Sequence, residues 1–142
     1  MKTISIEPFR KCGPIKSGDS YFDIVKKFSD HQEFKKSPLS KFITSSIMNG
    51  GLHVYYSEKG VCTGVEVFPP LKPFWDGVDL FSLDLKHIEN LLGQREIEIE
   101  ISDTGLEVLS LGISLFSHDF DQSVSGLVDS VYVDFTVTCP NF

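Results

Sequence analysis

After Arg95 the chain contains no lysine or arginine, while nine carboxylates lie between Glu96 and the end, so this stretch carries −9. Residues 1 to 41 are the opposite, with nine Lys or Arg against five Asp or Glu, net +4. Residues 42 to 95 hold four against six, net −2. The whole sums to −7 with a pI near 5.0, which penalises approach to nucleic acid across the acidic half and favours a basic partner or a cation. The basic residues Arg10, Lys11, Lys16, Lys26, Lys27, Lys35, Lys36 and Lys41, with Tyr21 and Phe34 among them, are the one stretch suited to phosphate. Against the overall charge, no nucleic-acid partner is expected.

Other shortages exclude other classes. Charges or prolines interrupt every apolar run well short of the ~18 residues of a membrane span. The start, MKTISIEPFRK, has no apolar stretch of a secretory signal. The three cysteines, Cys12, Cys62 and Cys139, are odd in number and lack CxxC spacing, which disfavours a disulfide framework. A cytoplasmic, membrane-free protein is the expectation. No P-loop, GxGxxG or GxSxG is present, and His31, His53, His87 and His118 form no HxxxH or HExxH pair. His118, Asp119 and Asp121 in SHDFDQS make the best cation cluster, yet they lack the glycine and distal glutamate of a calcium loop. Cys62 in a strand reads as a packed thiol. Neither a catalytic residue, a metal nor a cofactor is expected.

What the chain does contain is a pattern stated twice. GDSYFDIVKKFSD carries Ser20 and Asp23 in capping-box spacing, followed by an apolar stripe at Tyr21, Ile24, Val25 and Phe28. KFITSSIMN then reads as a strand ending at Asn49-Gly50-Gly51. LHVYYSE and VCTGVEVF follow around Lys59-Gly60. A two-residue turn there pairs Leu52 with Val67, Val54 with Val65 and Tyr56 with Thr63 on an apolar side. His53 with Glu66, Tyr55 with Gly64 and Ser57 with Cys62 fall on the polar side.

The second statement starts at FSLDLKHIENLLG, with Ser82 as N-cap, Leu85, Ile88, Leu91 and Leu92 as stripe, and Gly93 as stop. REIEIEIS alternates, placing Ile97, Ile99 and Ile101 inward and Glu96, Glu98 and Glu100 outward. LEVL and a closing hairpin follow, with Ile113, Leu115, Val131, Val133 and Phe135 on one face and Ser114, Phe116, Tyr132 and Asp134 on the other. The spacing predicts an α+β domain spanning residues 1–142. Two repeats, about 18–68 and 80–137, each a helix followed by antiparallel strands, place both helices on one face of the sheet. Pro69, Pro70 and Pro73 make 69–79 an extended connector holding Phe74 and Trp75.

Acidic groups around outward aromatics point to a protein-binding face: Glu96, Glu98, Glu100, Phe116, Tyr132 and Asp134, with Trp75 as a further contact. A small acidic α+β chain of this kind resembles the immunity proteins that neutralise bacterial toxins. Its helix-then-sheet tandem is similar to the beta-lactamase inhibitory protein fold, whose sheet face binds its target. The resemblance covers architecture and charge and transfers no functional residue. It implies a non-enzymatic inhibitor of a basic partner. The alternative is a small enzyme or ligand-binding domain with a pocket between helices and sheet, using His53, Glu66 or His118. A third reading is an assembly subunit that uses the connector around Trp75.

Overall fold

A computed structural model describes residues 2–118 and 126–136. The chain is α+β, with two helices and two largely antiparallel sheets. It opens with β1 (Thr3–Glu7), β2 (Lys11–Cys12) and β3 (Ile15–Lys16), before helix α1 (Tyr21–Lys27). Strands β4 (Gln32–Phe34), β5 (Thr44–Ile47), β6 (Leu52–Tyr56) and β7 (Cys62–Val67) follow. Then come β8 (Lys72–Trp75), β9 (Val78–Asp79) and helix α2 (Leu85–Gln94). The chain continues with β10 (Glu100–Ile101), β11 (Gly105–Val108), a 3-10 turn at Leu109–Leu111, β12 (Ile113–Phe116) and β13 (Ser130–Asp134).

The larger sheet has the order β10-β11-β12-β13-β7-β6-β5-β4, joined at its centre by antiparallel pairing of β13 with β7. Period-2 alternation sends Val54, Val65, Val67, Leu106, Leu115, Val131 and Val133 inward, each 1% exposed or less. The smaller sheet, β3-β2-β1-β8-β9, contributes Ile4, Ile6, Cys12, Ile15 and Trp75 to the same apolar cluster. At its centre lies a parallel pair, β1 with β8. Helix α2 adds Leu85, Ile88 and Leu92, and α1 adds Ile24. Between α2 and the facing strand residues Val108, Ile113 and Leu115, the cavity has a volume of only about 10 Å³. That is room for one water at most, so no ligand pocket separates α2 from these strands.

The two helices begin alike. Ser20 bridges Val61, and Tyr21 N–H donates to the carbonyl of Gly60 at 2.8 Å. Asp84 bridges Leu127, and Leu85 N–H donates to the carbonyl of Gly126 at 2.9 Å. The capping box at Ser20 and Asp23 is present in both directions.

Several expectations are corrected. The 69–79 segment is not a plain connector, because it supplies β8 and β9. Pro73 sits near the start of β8, and its carbonyl still accepts from Leu80 N–H at 2.9 Å. Asp84, not Ser82, caps α2, accepting from His87 N–H, while Ser82 Oγ donates to the Asp79 carbonyl. Gly93 does not stop α2. Arg95 ends it, and Glu96 N–H donates to Gly93 while Ile97 N–H donates to Leu92, the Schellman closure. Glu96 therefore occupies the left-handed position, at φ 59°.

That closure consumes the start of the predicted REIEIEIS strand, leaving only Glu100–Ile101 paired, and Ile101 is 55% exposed rather than inward. The β6–β7 hairpin has the expected register from Leu52–Val67 to Tyr55–Gly64. A bulge then pairs Tyr56 with Cys62 in place of Thr63. In α1 only Ile24 of the predicted stripe is buried, and Val25 is exposed.

Candidate functional site

The outer face of the larger sheet is where polar and aromatic side chains gather. Cross-strand register aligns Glu100, Glu107, Ser114, Tyr132, Glu66, His53, Ser46 and Gln32 in one row over all eight strands. With strands ~4.8 Å apart, Glu107 and Glu66 are roughly 14 Å from each other along it. A cleft of about 640 Å³ opens in the centre of this face, with Glu66 on its floor and Tyr55, Tyr132 and Phe116 around it.

Glu66 is held from both sides. Tyr55 Oη donates to Oε1 at 2.7 Å from β6, and Ser130 Oγ donates to Oε2 at 2.8 Å from β13. Burial, reinforced by the hydrogen bond to Glu66, pushes the Tyr55 phenol well above its ordinary pKa. Burial and then Asp134 raise Tyr132 to about 12. Both phenols are therefore neutral donors at pH 7. The rings of Tyr55 and Tyr132 lie 5.9 Å apart at 59°. Tyr132 has room only because residue 64 is glycine, since a Cβ there would lie 2.2 Å from Tyr132 Oη. Lys36 reaches in from the loop after β4, its Nζ 4.6 Å from the Tyr55 ring centroid and 3.4 Å from Tyr55 Oη. At the far end, His118 donates to Asp129 through both its backbone N–H and Nδ1. Ser117 Oγ is buried without a hydrogen-bond partner.

Of the residues expected at a binding face, Glu100, Phe116, Tyr132 and Asp134 share this outer surface. Glu96 and Glu98 lie outside any strand, between α2 and β10. Trp75 is 9% exposed in the core, with the Arg95 guanidinium 5.1 Å above its ring, so it is no contact residue of that face. Sequence reasoning missed Tyr55, Lys36, Ser117, Asp129 and Ser130 as site residues. The polar side it assigned to the β6–β7 hairpin held part of the signal, but the β13–β7 pairing that brings Ser130 and Tyr132 to Glu66 has no local trace.

Catalytic readings find little support in the geometry. His31 Nε2 lies 2.7 Å from Ser45 Oγ, the distance of a base and its nucleophile, and Ser45 also hydrogen-bonds Tyr56 Oη at 2.7 Å. Ser45 is fully buried, and its second partner Tyr56 fixes it in a structural network. Burial raises Cys62 to about 12 and pushes Cys12 higher still, so both stay thiols. Burial also holds the His53 imidazole below its ordinary value, with Glu66 opposing. Among the described residues no group of three His, Cys, Asp or Glu is placed to hold a metal ion, and no helix is long and apolar enough to cross a membrane. Asp119, Asp121 and Cys139 lie outside the described residues. No family model, no curated protein and no solved structure matches this chain.

Proposed function

We propose that this protein is a non-enzymatic binding module that docks the outer face of its eight-stranded sheet against a basic protein, in the manner of an immunity-like inhibitor. The observation that carries the reading is the asymmetry of that sheet. Its inner face is closed by core, whereas its outer face keeps Tyr55, Tyr132 and Phe116 only partly buried beside Glu66, Glu107 and Glu100. Aromatics supply anchors for a partner, and the carboxylates orient it and speed encounter. The charge of the second half, −9 from Glu96 onward, extends the same preference beyond the cleft. On this reading the chain is two copies of a helix followed by antiparallel strands, about 18–68 and 80–137, and the cleft lies where the strands of the two copies meet at the β7–β13 pairing. The matching cap bridges Ser20–Val61 and Asp84–Leu127 support that duplication.

The test compares wild type with a Glu100→Lys, Glu107→Lys, Asp134→Lys triple variant, each immobilised and exposed to native lysate at low and high salt. Wild type should retain one basic protein at low salt, less at high salt, and the triple variant none, with circular dichroism unchanged. Equal retention by the triple variant would move binding off this face.

A further inference from the structure

Resting on that reading, we infer that the Glu66 cleft is the anchor pocket for an arginine side chain of the basic partner. The first support is the state of Glu66. Its two oxygens are fixed by hydroxyl donors on the flanking strands, Tyr55 and Ser130, which aligns the carboxylate. An ionised carboxylate has acceptor capacity beyond those two bonds, and here it faces a cleft of about 640 Å³. A preorganised acceptor pair of this kind matches a guanidinium fork, which engages both oxygens at once.

The second support is that the cleft already draws in a cation. Lys36 comes from an exposed loop and lays its ammonium over the Tyr55 ring, donating to Tyr55 Oη at 3.4 Å. The aromatic walls thus hold positive charge from the chain itself, and a partner's cation would take over that position.

Other ligand classes fit worse. An anion would meet Glu66 and Asp129. A neutral apolar group would bury the remaining Glu66 acceptors without partners. Between the two cationic side chains, arginine is favoured because its flat guanidinium both stacks on tyrosine and phenylalanine faces and engages a carboxylate bidentately, whereas lysine offers a point charge.

The test uses the whole protein and three short blocked peptides, Gly-Arg-Gly, Gly-Lys-Gly and Gly-citrulline-Gly, followed by amide shift perturbation in NMR titrations. The arginine peptide should shift the amides of Tyr55, Glu66, Ser117 and Tyr132, the lysine peptide more weakly, and the citrulline peptide not at all. Glu66→Gln should weaken the arginine peptide about tenfold or more, and Lys36→Met, which removes the resident cation without touching Glu66, should tighten it severalfold. Shifts equal for arginine and citrulline, or weaker binding by Lys36→Met, would overturn the assignment. These titrations need no partner. Arginine binding with no captured protein would uphold the pocket while the broader reading fails. A captured partner indifferent to Glu66→Gln, with no arginine shifts, would overturn the pocket alone.

Discussion

Gly64 offers the sharpest check on the geometry of this face. A glycine inside a strand is worth roughly 0.5–1 kcal/mol less than alanine, so by backbone preference alone Gly64→Ala stabilises β7. The structure predicts the reverse. An added Cβ would lie 2.2 Å from Tyr132 Oη, 2.6 Å from Cζ and 2.8 Å from Cε1, which forces the whole ring to move. Displacing a packed side chain typically costs about 1–3 kcal/mol, so the net effect should be a loss of up to about 2.5 kcal/mol. In a Tyr132→Ala background the obstruction is gone, and Gly64→Ala should gain the ~0.5–1 kcal/mol that backbone preference dictates. The change of sign is the signature, a coupling of about 1–3 kcal/mol in a double-mutant cycle. Urea unfolding followed by the fluorescence of the single, buried tryptophan, Trp75, measures it. If Gly64→Ala stabilises both backgrounds alike, Tyr132 does not lie over Gly64, and the arrangement of the cleft described above is wrong.

Three further outcomes follow from other parts of the fold. Glu96 holds the left-handed Schellman position at φ 59°, so Glu96→Gly should raise stability by about 0.5–1 kcal/mol in the same urea assay despite removing a helix-terminal side chain. Asp84 has its pKa lowered by hydrogen bonds from the His87 backbone and ring, so its contribution is present above the unfolded carboxylate pKa near 4 and is lost as pH falls through the lower folded value. Asp84→Asn, which keeps an accepting oxygen but cannot titrate, should accordingly flatten the acid limb of a stability-versus-pH curve. Cys12 and Cys62, buried and held as thiols, should resist iodoacetamide in the native protein and react in urea, as read by peptide mass mapping, and rapid native labelling of either would contradict their placement.

Local chemistry was legible wherever one stretch of chain decided the outcome. Alternation specified the inner and outer faces of β6, β7, β12 and β13, and the Ser20–Asp23 spacing specified the capping box. Where two local solutions competed, the sequence pattern misled. Both Ser82 and Asp84 suit an N-cap, and the winner is the one whose backbone bridges Leu127. The faultless alternation of REIEIEIS gave way because Ile97 is needed to close α2 back onto Leu92, a demand set by how the helix end seats on the core.

The sequence by itself determined the class of fold, the alternation of faces and the acidic bias of the second half, because side-chain periodicity and charge are properties of short segments. Only the tertiary structure decided the parallel pairing of β1 with β8 and the seam between β7 and β13. Those contacts join residues about seventy apart, such as Ile4 with Pro73 and Glu66 with Tyr132. Backbone hydrogen bonding between distant strands carries no sequence signature of its own. It is that seam which sets Ser130 and Tyr132 beside Glu66 and makes the cleft.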